Sequence, residues 1–147
     1  MIEFNNATNF NEIHIGQMLK IAVTESGIEM SRLCHFLKSD EEEIQEMFQQ
    51  RSIDTHLLLR WSKLLGYDFF RLYSQHLIFY APPSSEEKMQ KKGKTVLPQF
   101  RKNIYTREFV NLILEQINTG EMTKSEVMEK YKIPKTTLYK WISKYKN

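Results

Sequence analysis

The chain has 147 residues with one cysteine and five glycines, and 41% of its residues are hydrophobic. This size suits one domain or two small ones with a packed core. A lone cysteine excludes an intramolecular disulfide and is typical of a reducing cytoplasm. Charged residues interrupt the longest apolar region, residues 57–80, so no membrane span is expected. The polar start MIEFNNATNF predicts no secretory signal.

The net charge of +3 is unevenly distributed along the chain. Residues 1–80 hold 7 Lys/Arg and 11 Asp/Glu, a net charge of −4, whereas residues 81–147 hold 14 and 7, a net charge of +7. Such asymmetry indicates a polyanion-binding half attached to a half with a different role, and a chance distribution of surface charge is the alternative.

Apolar residues in the first half recur at helical spacing and are punctuated by cap residues. Five helices are predicted in turn: one from Ile15 to the stop signal Gly27, one from Glu29 to Leu37, one from Glu41 behind a cap at Ser39 or Asp40, one ending at Gly66 behind a cap at Asp54 or Thr55, and one from Asp68 to Tyr80.

The order of these elements resembles the Cro/phage-repressor (XRE-type) helix-turn-helix domain over about residues 14–73. The matching residues are Ile15, Gly16, Leu19, Gly27, Ile28, Leu33, Leu37, Ile44, Leu58, Leu64, Leu65, Gly66 and Phe69. The helix in the place of the family's DNA reader has five acidic residues from Asp40 to Glu46, and carboxylates repel phosphates. We therefore expect residues 1–80 to form a repressor-like helical domain that holds partners together. Some side chains of this helix could still touch DNA: Gln45, Gln49, Gln50 and Arg51.

The fifth predicted helix is apolar around much of its girth and needs cover on more than one side. We predict that one stripe of this helix forms a homodimer contact, and packing within the domain is the alternative. The stripe consists of Phe69, Leu72, Tyr73, His76, Leu77 and Tyr80, and Phe70 and Phe79 lie off it.

Residues 81–104 contain three of the four prolines and a basic run, which predicts a linker between two domains. A flexible segment of about 24 residues has a root-mean-square span of roughly 25–30 Å, close to one turn of DNA at about 34–36 Å. Arg101 and Lys102 are candidate phosphate contacts in this linker, and a solvated linker without contacts is the alternative.

Residues 105–147 predict three further helices. Thr106 is suited to cap the first, which ends at residues 118–120, and Thr123 with Glu126 predicts a capping box at the start of the second. Pro134 suits the first turn of the last helix. In that helix a stripe at helical spacing is predicted to pack inward: Leu138, Trp141, Ile142 and Tyr145.

The other face of the last predicted helix carries lysines and hydroxyl side chains, which can bond to base edges and phosphates. Lys135, Thr136 and Tyr139 near its start would reach deepest into a groove, and Lys140 and Lys144 would hold the backbone. The full predicted DNA-binding set is Lys124, Lys135, Thr136, Thr137, Tyr139, Lys140, Ser143 and Lys144, together with Arg101 and Lys102.

Residues 104–146 resemble the homeodomain-like helix-turn-helix of the small DNA-binding subunit of insertion-sequence transposases. The markers are Tyr105–Phe109, Gly120, Ser125-Glu126-Val127, Tyr131-Lys132-Ile133 and Thr137–Trp141. The resemblance implies sequence-specific DNA binding, and similar modules also occur in stand-alone regulators.

No glycine-rich phosphate loop, metal-ligand spacing or nucleophile motif is visible, so we expect no enzyme activity, cofactor or metal. The sequence therefore predicts an all-α cytoplasmic protein in which two small helix-turn-helix domains, residues 1–80 and 105–147, are joined by a basic, proline-containing linker. We expect a homodimer that binds double-stranded DNA as a transcriptional regulator, in contact with the transcription machinery. The alternatives are a DNA-binding accessory subunit for a catalytic transposase subunit, and a protein–protein adaptor that reads no DNA.

Overall fold

A computed structural model describes residues 11–81, 96–98 and 105–145, and within these ranges the chain forms eight α-helices and no strand. The helices are α1 Ile15–Ser26, α2 Met30–Leu37, α3 Glu41–Gln49, α4 Thr55–Leu65, α5 Phe70–Tyr80, α6 Arg107–Asn118, α7 Lys124–Tyr131 and α8 Lys135–Lys144. The all-α prediction is confirmed. In the same ranges no helix is both long enough and apolar enough to cross a membrane. Most of the predicted linker, residues 82–95 and 99–104, lies outside the described residues.

The chain divides into two compact units. The N-terminal unit is Asn9–Tyr73, and the C-terminal unit includes Ser74–Asn147. The division falls inside α5, seven residues before position 80, where the sequence predicts the end of the first domain.

In the N-terminal unit, α1 and α3 meet at Gly16. A Cβ at this position would lie 2.5 Å from the carbonyl oxygen of Phe48 and 2.7 Å from that of Gln50, so only glycine fits. The amides of Ile15 and Gly16 donate to the carbonyls of Arg51 and Gln50 at 3.1 and 2.9 Å. The free donors of the first turn of α1 therefore satisfy carbonyl groups that follow α3.

A three-residue turn beginning at Lys38 joins α2 to α3. Lys38 adopts a left-handed backbone conformation with φ 55°, which glycine or asparagine usually occupies at a helix end. Asp40 accepts from the Glu43 amide at 2.8 Å, and the Glu43 carboxylate accepts from the Asp40 amide at 3.0 Å. Of the two predicted caps for this helix, Asp40 is therefore the one used, in a reciprocal capping box.

Helix α4 fastens the end of α2 and supplies the largest core side chain of the N-terminal unit. The Arg60 guanidinium donates to the carbonyl of Leu37 at 3.2 Å and to that of Phe36, which satisfies carbonyl groups left free at the end of α2. Trp61 is 0% exposed, and its ring centroid lies 6.0 Å from that of Phe48. Its indole N–H meets no acceptor among the described residues.

An aromatic cluster around Phe109 of α6 forms the core of the C-terminal unit. Phe79 of α5 meets the Phe109 ring edge-on at 4.5 Å, and Tyr131 of α7 and Trp141 of α8 approach it at 5.8 and 6.2 Å. Tyr105 stacks on Phe109 at 5.2 Å and meets Trp141 at 4.9 Å. The last turns of α5 thus contribute to the same core as α6, α7 and α8.

A buried polar contact also ties α5 to the start of α6. Gln75 is 1% exposed, and its side-chain oxygen accepts from the amide and the hydroxyl of Thr106, both at 3.2 Å. The Thr106 hydroxyl in turn accepts from the Phe109 amide at 3.2 Å, as predicted for the cap of this helix. Gln75 therefore supports the cap that begins α6.

Burial divides the predicted dimerisation stripe of α5. Phe69 and Leu72 are 1% and 6% exposed, so packing within the chain accounts for these two residues. Leu77 and Tyr80 are 58% and 51% exposed and remain available to a partner. The other stripe residues are partly buried: Tyr73 and His76. Dimerisation itself stays a prediction.

Candidate nucleic-acid interface

The predicted capping box at the start of α7 is present. The Glu126 amide donates to the Thr123 hydroxyl at 3.2 Å, and the Thr123 amide donates to the Glu126 carboxylate at 2.6 Å. The hydrogen bond from the Thr123 backbone lowers the pKa of the Glu126 carboxyl from its ordinary value of 4.5, because it stabilises the charged form. This cap is local and needs no support from other helices.

A three-residue turn from Lys132 to Pro134 joins α7 to α8. Lys132 adopts a left-handed conformation with φ 53°, and Ile133 is only 3% exposed. Pro134 occupies the cap position, so α8 begins one residue later than predicted, at Lys135. No described side chain caps the first turn of α8, and its amides remain open.

The buried face of α8 follows the predicted stripe except at its last member. Leu138 is 0% exposed, and Trp141 and Ile142 are partly buried. Tyr145 is 37% exposed, so the prediction that it packs inward is wrong. The reason is that α8 ends at Lys144, and Tyr145 leaves the helical spacing with φ −110°.

The predicted DNA-binding residues fall into three groups. Those exposed on α8 are Lys135, Thr136, Tyr139, Lys140, Ser143 and Lys144. Thr137 is partly buried, and Lys124 is exposed as the first residue of α7. Arg101 and Lys102 lie outside the described residues. The role of this set in DNA binding stays a prediction.

Helix α8 presents positive charge without a compensating carboxylate. From Lys132 to Lys144 the sequence contains four lysines and no acidic residue. Among the described residues no carboxylate forms an ion pair with these lysines. An unpaired cationic face of this kind suits a polyanion, because each ammonium group can exchange its counterion for a phosphate.

One tyrosine ring brings lysines from two helices together. The Nζ atom of Lys124 lies 5.3 Å from the ring centroid of Tyr139, and that of Lys135 lies 5.6 Å away. Tyr139 is 45% exposed. Because Lys124 begins α7 and Lys135 begins α8, the amino ends of both helices meet at this ring. The spacing of four residues hints at the contact within α8, whereas the contact from α7 depends on tertiary packing.

The corresponding helix of the N-terminal unit, α3, presents the opposite charge. Its buried residues are Ile44, Met47 and Phe48. Its exposed face is rich in carboxylates, namely Glu41, Glu42, Glu43 and Glu46. In its capping box the carboxylates of Asp40 and Glu43 already accept hydrogen bonds from the backbone amides of Glu43 and Asp40. Such a surface repels phosphates and leaves α8 as the cationic helix of the two.

In the part of the chain that the structure describes, no group of histidine, cysteine and acidic side chains is placed to hold a metal ion.

Comparison of the chain with models of known protein families finds no match, and comparisons with curated proteins and with solved structures find none either.

Proposed function

We propose that the chain binds specific sequences of double-stranded DNA through α8, with α7 and α8 acting as a helix-turn-helix. The observation that carries this proposal is the division of α8 into two faces. Leu138 is fully buried on one face and Trp141 joins the aromatic cluster, while lysine, threonine and tyrosine side chains cover the other face. A helix held in this way can enter a major groove without exposing its apolar residues.

Roles within α8 follow from distance to its amino end. Thr136 lies in the first turn and is placed to bond a base edge or a thymine methyl group. Lys140 and Lys144 lie further along and are suited to phosphates, which fix the position of the helix on the duplex. The resemblance to transposase DNA-binding subunits supports the same assignment.

The N-terminal unit has a different role in this proposal. Its resemblance to phage-repressor domains, together with the acidic surface of α3, favours a fold retained for holding partners. A single short reading helix binds DNA weakly, so we propose a homodimer that presents two copies of α8 to two half-sites. The proposed dimer contact is the exposed pair Leu77 and Tyr80, which lies on the part of α5 that belongs to the C-terminal unit, directly after the N-terminal unit. We further propose that this dimer acts in the cytoplasm as a transcriptional regulator.

Selection of bound sequences from a random DNA pool tests the proposal on the full chain. We expect an enriched motif, with cognate DNA bound at least about 1,000-fold more tightly than random DNA. The affinity should also fall steeply as salt rises, because lysine contacts release counterions. Binding of a partner protein with no enrichment and no salt-dependent DNA affinity would favour a protein–protein adaptor.

Analytical ultracentrifugation of the full chain tests the dimer. Leu77→Gln should shift the chain from dimer to monomer, because it removes an exposed apolar contact. Leu59→Gln is the matched control, since Leu59 is also an exposed leucine, at 41%, on another helix. A wild-type chain that stays monomeric at concentrations of tens of micromolar would rule out the dimer, because a dimer with a standard-size interface should form at about these concentrations.

A further inference from the structure

Tyr139 stands out because its ring contacts cations from two helices. We propose that Lys124, Lys135 and Tyr139 form one clamp for a short stretch of DNA backbone, in which Tyr139 is a positioning residue and reads no base. This inference rests on the proposed function and specifies which contacts at the DNA surface are independent of sequence.

The first step concerns what holds the two lysines near each other. Their ammonium groups repel, and each long side chain loses up to about 2 kcal/mol of rotamer entropy when it is ordered. The face of an aromatic ring is negative and attracts a cation placed about 6 Å or less from its centroid. Both Lys124 and Lys135 satisfy this distance, at 5.3 and 5.6 Å. Tyr139 therefore orders both lysines before any ligand arrives.

The second step concerns which ligand the ordered lysines suit. No carboxylate of the described residues pairs with either ammonium group. Lys135 also begins a helix whose first amides have no side-chain acceptor, so the positive end of the α8 dipole adds to the two ammonium charges. A phosphodiester backbone supplies regularly spaced anions that can bind such a group, and it does so on any DNA sequence.

The third step concerns Tyr139 itself. Its ring is occupied by two lysines, and half of its surface is already covered, at 45% exposed. Removing the ring should therefore release both lysines and weaken binding to all sequences, whereas removing a base reader weakens binding to the cognate sequence alone.

The test compares single and double variants of the full chain on two duplexes of about three helical turns, roughly 30 base pairs. One duplex carries the selected site and the other a random sequence, and affinities are measured by filter binding over a range of salt concentrations. Lys124→Ala should weaken binding to both duplexes and lower the salt slope by about 1. Tyr139→Leu should weaken binding to both by a similar factor, about three- to tenfold. Tyr139→Phe keeps the ring and should bind like the wild type.

The control is Lys130→Ala. Lys130 also lies over a tyrosine ring, 5.1 Å from that of Tyr131, but it belongs to the other end of α7. Its removal should leave both affinities unchanged. Circular dichroism of each variant confirms that helicity is retained.

The clamp also predicts coupling between its members. The affinity loss of the double variant Lys124→Ala, Tyr139→Leu should be smaller than the product of the two single losses, because both changes remove the same contact. Fully multiplicative losses would overturn the positioning role, and so would a Tyr139→Phe loss equal to that of Tyr139→Leu. A Tyr139→Leu loss confined to the cognate duplex would make Tyr139 a base reader while the proposed function stands. A wild-type chain that binds neither duplex would overturn the proposed function together with the clamp.

Discussion

The two helix pairs of this chain, α2–α3 and α7–α8, share a backbone plan and differ in chemistry. In each pair an eight-residue helix is followed by a three-residue turn that opens with a left-handed lysine, Lys38 or Lys132. The second helix has nine residues in α3 and ten in α8. At its start α3 has the capping box of Asp40 and Glu43, whereas α8 has Pro134 and no side-chain cap.

The comparison distinguishes the buried residues that position each helix from the first-turn residues that determine whether it can bind an anion. Buried positions such as Ile44 in α3 and Leu138 in α8 hold each helix in place. The first turn of α3 is stabilised by carboxylates at the positive end of its dipole, and the same carboxylates repel phosphates. Helix α8 lacks a side-chain cap, which is worth about 1 kcal/mol, and its first turn stays open to an anion. The first turn of the acidic helix favours stability, and the first turn of the basic helix suits the DNA binding that we propose.

Neutralising each surface in turn is the strongest test of this contrast. The triple change Lys135→Gln, Lys140→Gln and Lys144→Gln should lower affinity for random DNA by about 100-fold and reduce the salt slope by roughly 3. The matched change in α3 is Glu41→Gln, Glu42→Gln and Glu46→Gln, which should leave the slope unchanged. Filter binding over a salt series measures both. Equal changes in slope for the two triples would show that both helices contact DNA.

Gly16 tests whether the close contact between α1 and the end of α3 stabilises the N-terminal unit. Gly16→Ala should lower the free energy of unfolding by about 2–3 kcal/mol, because the new Cβ meets carbonyl oxygens at 2.5 Å. Gly27→Ala is the control, since a Cβ there meets no atom within 4 Å and only the left-handed φ of 66° opposes it. The control should cost about 1 kcal/mol. Thermal unfolding followed by circular dichroism compares the two, and equal losses would mean that the α1–α3 contact yields easily.

The two left-handed lysines, Lys38 and Lys132, allow a test of whether the turns of the two helix pairs are equivalent. Lys38→Gly and Lys132→Gly should each raise the free energy of unfolding by about 0.5–1 kcal/mol, because glycine adopts this conformation without strain. Similar gains in both turns, measured by urea unfolding, would confirm that the two turns are equivalent. A loss at either position would show that the lysine side chain has a contact that outweighs its backbone strain.

The smallest expected effect is the pH dependence of the α7 cap. The pKa of Glu126 is lowered in the folded chain from 4.5, so its contribution is present above pH 4.5 and is lost as the pH falls through the lowered value. Glu126→Gln keeps an acceptor for the Thr123 amide and removes the titration. Acid unfolding curves of the two proteins should therefore converge at low pH. Parallel curves over the whole range would show that the cap does not titrate.

Much of the helix plan could be predicted from the sequence because caps are local. Asp40 with Glu43 and Thr123 with Glu126 act within three residues, and Gly27 ends a helix by its own backbone freedom. The left-handed conformation of Lys132 could not be predicted, because lysine carries no preference for it and the burial of the adjacent Ile133, which is 3% exposed, depends on tertiary packing.

Contacts between distant segments were also beyond reach from the sequence. Gln75 and Phe79 belong to the core of the C-terminal unit, although both lie among residues assigned to the first domain. Nothing in the sequence pattern of α5 distinguishes a side chain that packs against α6 from one that packs within the N-terminal unit. For the same reason Lys124 was a predicted DNA contact without a predicted neighbour, and the Tyr139 ring supplies that neighbour.

The fully buried Trp61, whose indole N–H has no acceptor among the described residues, has an optical consequence. The chain contains two tryptophans, one in each unit, and the other is Trp141 beside Tyr105 and Phe109. An indole in a dry, apolar site emits at shorter wavelength than one near solvent and shifts to the red when water reaches it. Trp61→Phe and Trp141→Phe therefore each leave a native fluorophore in one unit, and the melting of either unit can be followed without an added dye.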